Sequence, residues 1–465
     1  MGSGAGVLEA ATPTAPVGRA RLATVVELAV VLLGALARAA LARTYDARLG
    51  YDHDSHQRYI RYLVEHRALP PIESFYVAYQ PPAYYAVAAW FLRAGGTSAG
   101  LQRLSVAVGV VKLLILWWAL RRLLPRQALA RVVALLAAAL VPAAVFLDVM
   151  ITNETALTLC SFAALALSPW ALAPSRAPRS QAARGAVLGV VLALALLSKV
   201  SALVLIAAVA IAALDSRRRI AALTAVGLAL ALGLPLHARH YPSTRKLFPT
   251  TFDTTPWERN IYAGVAGRPY LSRRRPVYLI GLGSGEVLRN PYWPSDAIPT
   301  PRFWPQLVAS TFADYYLGRF DAPPHPGEAT AVLTFDRVVR ASTLPYMRAA
   351  VAAGAVVVAT TMAAWLAALA FALRRRDVVL LVPLLAAALA VVGQLHFTWQ
   401  FPFDKLGMVK GHYLVFISPV LCALLGVAMS WLWSRGALGR AAFVLNAAAL
   451  ATVAAYVFHL LRWLP

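Results

Sequence analysis

Long apolar runs alternate with short, arginine-bearing connections along most of this chain. The first run, from about Leu22 to Leu41, is long enough to cross a bilayer and is interrupted only by Glu27 and Arg38 near its ends. Further runs fall at about Leu101–Leu120, Ala128–Leu147, Thr155–Leu172, Gly185–Leu197, Ala202–Leu214 and Ile220–Pro235. Four more close the chain, at about Met347–Leu373, Val378–Leu395, Tyr413–Leu432 and Ala441–Leu461. The pattern predicts an all-α polytopic membrane protein with about eleven transmembrane helices. Lys199-Val200-Ser201 interrupts one apolar stretch; it reads as a tight turn between two short spans, with a single broken helix buried in protein as the alternative.

Two stretches depart from this alternation. Between the first and second runs, residues 54–66 carry Tyr59, Ile60, Leu63 and Val64 on one side and Arg58, Arg61 and Glu65 elsewhere, as a helix lying on a membrane surface does. Pro81 and Pro82 are set to open a second short helix over Ala83 to Arg93, which Gly95-Gly96 ends. From 238 to 346 there is no convincing span, and aromatic residues (Trp257, Tyr262, Tyr278, Trp293, Trp304) interleave with Arg259, Arg268, Arg273 and Arg302. The organisation expected is therefore a disordered cytoplasmic segment (1–20), an N-terminal transmembrane module (21–237) with a first outer loop (43–100), a long outer loop (238–346) and C-terminal transmembrane helices (347–465).

Composition agrees with the pattern. Of 465 residues, 60% are hydrophobic and only 14% charged, with a mean hydropathy of +0.63. A formal charge of +24 would suggest nucleic acid in a soluble protein. Here the arginines sit between apolar runs, where they set topology and meet anionic headgroups, so no nucleic-acid partner is expected. Cys160 and Cys422 both fall in apolar runs and supply no disulfide framework. The Ala- and Arg-rich usage fits a GC-rich bacterial genome, and hence a bacterial inner membrane.

Orientation follows from the arginines. With the N-terminus inside, the cytoplasmic connections hold Arg121, Arg122 and Arg126, then Arg176 and Arg179, Arg217 to Arg219, Arg374 to Arg376, and Arg435 and Arg440. The opposite short loops hold only Lys199, Lys405 and Lys410, and the bias points one way. The first run also has the basic flank and small residues (Ala35-Leu36-Ala37) of a signal peptide. Either reading leaves Gly50–Tyr85 outside the cytoplasm.

That outer segment concentrates the candidate chemistry. Asp52, Asp54 and His56 lie within five residues, followed by Tyr79-Gln80-Pro81-Pro82. Asn153-Glu154, Lys199, Lys410 and His412 face the same side. Ionisable groups at a membrane boundary cost solvation energy and are more often functional than decorative. Each has a plainer role too: Asn153 as a helix cap with Glu154 on the helix dipole, Lys199 snorkelling, His56 as a surface histidine. No Walker motif, Gly-rich dinucleotide turn or Cys/His zinc pattern occurs, which leaves a nucleotide-sugar donor without support.

Taken in order, Asp52-x-Asp54-x-His56-x-x-Tyr59-Ile60, Leu69-Pro70, Tyr79-Gln80-Pro81-Pro82-x-Tyr84-Tyr85, Thr152-Asn153-Glu154, Ser198-Lys199 and Lys410-Gly411-His412-Tyr413 resemble the GT-C superfamily, polytopic glycosyltransferases that use lipid-phosphate-linked sugars, among them protein O-mannosyltransferases and aminoarabinose transferases. The resemblance spans roughly residues 20–430 in layout. It implies a GT-C-like fold with juxtamembrane helices in the first outer loop, and transfer of a hexose or pentose from a polyprenyl-phosphate donor to a glycan, lipid or protein acceptor at the periplasmic or exterior face. By family position Asp52 is the general base, with Asp54 the alternative; His53 and Asp54 stand where some relatives have an adjacent Asp-Glu pair. His56, Tyr79, Gln80, Asn153, Glu154, Lys199, Lys410 and His412 are the implied substrate-binding residues, Lys199 foremost for the donor phosphate. Asp52 and Asp54 also suit sharing a divalent cation such as Mg or Mn. The rival readings are a transporter or flippase of lipid-linked saccharides and an inactive scaffold; a transporter would set its polar groups near mid-bilayer, often in repeated halves.

Overall fold

Inside a bilayer no water meets the backbone, so a chain this apolar satisfies its N–H and C=O groups within helices. The computed structural model describes residues 17–47, 50–254, 276–283, 285–289, 302–313, 330–332, 338–400 and 409–461. Trp257, Tyr262, Trp293, Arg259, Arg268, Arg273, Lys405 and residues 1–16 lie outside the described residues. Among the described residues, the only strands are a two-stranded antiparallel ladder, β1 (Thr330–Val332) against β2 (Val338–Arg340).

The N-terminal half runs α1 (Val17–Thr44), α2 (His53–His66), α3 (Ala83–Arg93), α4 (Ser98–Leu123), α5 (Ala128–Leu140), α6 (Pro142–Leu147), α7 (Glu154–Ala171), α8 (Pro178–Leu196), α9 (Leu203–Ala210) and α10 (Arg219–Ala238). The C-terminal half adds α11 (Phe303–Phe312), α12 (Thr343–Arg375), α13 (Val378–Gln400), α14 (Ser418–Trp433) and α15 (Gly436–Leu461). Eight helices among the described residues are long and apolar enough to cross a membrane, α14 counting with the 3-10 turn Gly411–Ile417 that leads into it. The chain is a multi-pass helical membrane protein. The other three expected spans are helical but shorter or more polar. One of them, expected as a single run from Ala128 to Leu147, breaks at Val141, which the following Pro142 pushes out of the helical region to φ −63°, ψ 120°.

Two large apolar cores stand out among the described residues. Leu157, Leu188, Leu192, Leu205, Ala225 and Ala386 join α7, α8, α9, α10 and α13. Val31, Leu116, Leu135, Leu425 and Leu450 join α1, α4, α5, α14 and α15. Helices α8 and α10 approach closely, where Gly185 and Gly189 meet the backbone at Ala221 and Ala225. Small residues four apart let two helix backbones touch without side chains between them.

One end of the bundle is arginine-rich. Glu27 near the start of α1 binds Arg131 of α5 at 2.7 Å and Arg121 of α4 at 3.4 Å, and Arg218 reaches the Leu172 carbonyl at 2.9 Å. At the other end, α8 stops at Leu196, the chain reverses at Lys199, and residues 200–214 lead back toward Arg218. The interruption at Lys199 is thus a turn. Helix α11, from the long 238–346 segment, tucks into the bundle: Phe312 lies against Gly354 of α12, and Ser310 Oγ accepts the Gly411 amide at 2.8 Å.

Candidate functional site

The site is built at the end of the bundle away from the arginines, beginning with Asp52. This residue is the N-cap of α2 and adopts left-handed backbone angles, φ 56°, ψ 24°, which Asp tolerates better than most residues. Its carbonyl takes the amides of Ser55 and His56, each at 3.0 Å, while its side chain makes no capping bond. The carboxylate is exposed, and its charge acts on His56, Tyr79, Tyr85 and Tyr413. Asp54 sits in the first turn of α2, also exposed. Residues two apart on a helix do not face each other, and among the described residues no hydrogen bond, ion pair or ring contact ties Asp54 to the cluster.

The inner face of α2 carries His56, which is buried and uses both ring nitrogens: Nδ1 lies 2.8 Å from the Tyr85 hydroxyl and Nε2 3.4 Å from Thr152 Oγ1. Burial pushes its pKa down to about 4; Asp52 opposes this, and Lys199, His53 and Lys410 add to it. At neutral pH the ring is therefore neutral, held between α3 and the turn before α7. Tyr59 stacks on Tyr85 with centroids 3.9 Å apart and donates to the Gln80 carbonyl at 3.2 Å. Burial raises the pKa of Tyr59, Tyr79, Tyr84 and Tyr85, which keeps all four phenols protonated.

Short side-chain bonds knit the remaining segments together. Gln80 donates to the Tyr79 hydroxyl at 2.9 Å and accepts from Asn153 Nδ2 at 3.3 Å; the same Nδ2 reaches the Ser198 carbonyl at 3.0 Å. The backbone of Ala83, opening α3, donates to Leu197 at 3.0 Å. Glu154, at the N-terminus of α7 where the helix dipole favours an anion, is ion-paired with Lys199. Lys199 Nζ lies 4.8 Å from the Tyr413 ring centre; Lys410 Nζ lies 5.5 Å from it and 5.3 Å from that of Tyr51. His412 stacks on Tyr51 at 4.3 Å. Asp52, His56, Tyr79, Gln80, Asn153, Glu154, Lys199, Lys410 and His412 thus share one cluster, and Asp54 stands outside it.

Sequence reasoning passed over several neighbours. Tyr413 is the ring against which both lysines rest, and Tyr51 clamps His412. At the end of α10, Arg239 Nε donates to His240 Nε2 at 3.3 Å; its charge acts on Tyr59 and on His240, whose pKa is pushed by burial and then by Arg239 down to about 4. The sequence carries one signal for Arg239: it is an arginine on the side that the positive-inside pattern leaves nearly bare. The expectation that polar groups gather at one face needs correction. Arg38, Lys112 and Asp148 form a buried ion network within the bundle, and the Glu27 cluster forms another.

A hard divalent cation needs several converging oxygens. Among the described residues no three His, Cys, Asp or Glu side chains converge that way, so Asp52 and Asp54 do not by themselves make a complete site for Mg or Mn. Beside Ser198 and Thr155, an apolar cavity of about 260 Å³ opens between α3, α4, α7 and α8, lined by Val87, Leu101, Leu104, Val108, Leu159 and Leu194.

The family described as dolichyl-phosphate-mannose-protein mannosyltransferase matches residues 79–241, and no curated protein matches the chain by sequence. Among solved structures, the oligosaccharyltransferase of Archaeoglobus fulgidus in the apo form is 15% identical at a TM-score of 0.53, covering 94% of this chain and 56% of that one. The same enzyme, AglB, in complex with an inhibitory peptide and a dolichol-phosphate aligns at a TM-score of 0.52, with 16% identity over 94% of this chain and 56% of that one. Its complex with Zn and sulfate aligns at 0.51, with 16% identity over 94% and 53%. ArnT from Cupriavidus metallidurans bound to undecaprenyl phosphate aligns more loosely, at a TM-score of 0.48 with 13% identity over 96% and 76%. The chain spans a little over half the length of the oligosaccharyltransferase.

Proposed function

The chain has the GT-C fold, and from that premise we propose that it is an integral-membrane glycosyltransferase, moving a sugar from a polyprenyl-phosphate donor to an acceptor hydroxyl on the outer face of a bacterial inner membrane. The observation that carries the reading is the arrangement around Tyr413: two lysines against one ring, one of them paired with Glu154, and the exposed carboxylate of Asp52 acting on the same residues.

Transfer is a displacement at the anomeric carbon. The acceptor oxygen forms the new C–O bond, and the bond to the phosphate oxygen breaks with its electron pair. The acceptor proton needs a base, and the leaving phosphate needs positive charge. In this reading Asp52 takes the proton, its carboxylate being uncommitted to the helix cap. Asp54 is the weaker candidate because no contact among the described residues ties it to the cluster. Lys199 and Lys410 neutralise the leaving phosphate. His56 is assigned to positioning, since both its nitrogens are engaged and its ring is neutral. Tyr79, Gln80 and Asn153 hold the floor of the site, and His412, stacked on Tyr51, shapes the wall beside Lys410. The apolar cavity that ends at Ser198, next to Lys199, suits the hydrocarbon chain of the donor. The acceptor class remains glycan, lipid or protein, and the sugar a hexose or a pentose.

The test is transfer from a panel of radiolabelled polyprenyl-phosphate sugars to membrane extracts by purified protein and its Asp52→Asn and Asp54→Asn variants, with and without chelator. Asp52→Asn should lower turnover on the order of 100-fold or more, with Asp54→Asn and chelator near wild type. A wild type that binds the lipid-linked sugar but transfers nothing would favour the transporter reading.

A further inference from the structure

Behind the site lies an ion network that the proposed chemistry does not use. Arg38 of α1, Lys112 of α4 and Asp148, which follows α6, are 1%, 2% and 0% exposed. Arg38 Nε donates to Asp148 Oδ2 at 2.7 Å, and its Nη1 to the carbonyls of Gly34 and Ala139 at 3.0 and 2.8 Å. Lys112 takes the other carboxylate oxygen and donates to Thr158 Oγ1 of α7 at 3.1 Å. Gly109 makes the room: a Cβ there would lie 2.7 Å from Asp148 Cγ and Oδ2. Burying such groups costs several kcal/mol per ion before pairing, so apolar side chains would fill the space more cheaply.

What the network touches suggests why it is there. Helix α6 stops at Leu147 and α7 starts at Glu154, yet Val149, Met150, Ile151, Thr152 and Asn153 are all at most 3% exposed. Irregular backbone inside an apolar bundle is tolerated only where protein groups hold it. At the site end, Thr152 meets His56, Asn153 meets Gln80 and Ser198, and Glu154 meets Lys199. At the other end the charged anchor is Asp148. Two cations on one carboxylate leave a formal excess of positive charge, and Glu154 is among the charges acting on Lys112.

We propose that Arg38, Lys112 and Asp148 form a positioning lock that fixes the buried turn carrying Asn153 and Glu154 in the site. The lock pins the turn at Asp148 from α1 and α4, and Lys112 ties it to α7 through Thr158. The inference rests on the glycosyltransferase reading only for its kinetic consequence.

The test compares full-length wild type with Lys112→Met, Gly109→Ala and Leu116→Ala, the last a buried residue of the same helix outside the network. Each is measured by thermal unfolding, hydrogen exchange of peptides covering 149–157, and transfer kinetics. Lys112→Met and Gly109→Ala should speed exchange across 149–157 about tenfold while peptides from α12 and α15 stay as in wild type. In both variants kcat should fall about tenfold with KM for the donor unchanged. Wild-type exchange of this turn in either folded variant, or an equal acceleration in Leu116→Ala, overturns the lock. The exchange readout needs no turnover, so a wild type that transfers no sugar counts against the glycosyltransferase reading alone.

Discussion

His56 is neutral in the folded protein because burial outweighs the pull of Asp52, with Lys199, His53 and Lys410 adding to the burial effect. An unfolded histidine protonates near pH 6.5, whereas this one does so near 4. Between those values the unfolded chain binds a proton that the folded chain does not, so stability falls as pH drops through that window and is flat above it. The contribution is about 3 kcal/mol once both limits are passed. Thermal unfolding in detergent should show the midpoint decreasing from pH 7 to pH 4.5, and His56→Gln should flatten part of that slope. His240, shifted the same way, supplies a share that the variant leaves in place. A slope identical in wild type and His56→Gln would refute the burial argument.

At the scale of elements, α8 and α10 meet through small residues. Gly189 has the Ala225 backbone 2.8 Å from where its Cβ would lie, whereas Gly227 of α10 has nothing within 4 Å. Gly189→Leu should therefore destabilise the protein by about 1–3 kcal/mol or more, and Gly227→Leu should leave the unfolding midpoint near wild type. Equal midpoints for the two variants would mean that the helices do not meet through their small residues. The helices themselves were largely legible. Tyr59 and Ile60 on one side of 54–66 marked α2, and Pro81-Pro82 with Gly95 bounded α3. The break at Val141 was harder to anticipate, because Pro142 lies in an apolar run and prolines do occur inside membrane helices, as Pro235 does in α10.

For the whole molecule, the arginine bias predicts a topology that labelling checks. In a chain with Cys160 and Cys422 replaced by alanine, a cysteine at Glu73 should react with a membrane-impermeant maleimide added to intact cells. One at Ser216, at the arginine-rich end, should react only after permeabilisation. The reverse pattern would turn the protein over and move the Asp52 cluster to the cytoplasm. The sequence by itself determined the helical membrane class and the sidedness bias, because apolar length and arginine position act locally along the chain. It also brought Asp52, His56, Gln80, Asn153, Lys199 and His412 under suspicion, because each is a polar residue at a span boundary. Only the tertiary structure separated Asp52 from Asp54, set Tyr413 between Lys199 and Lys410, and paired Arg38 and Lys112 with Asp148. Those outcomes depend on which helix ends meet and which backbone turns toward the interior, and Arg38 and Asp148, 110 positions apart in the chain, share a hydrogen bond there. Local pattern carries no record of such distant partners.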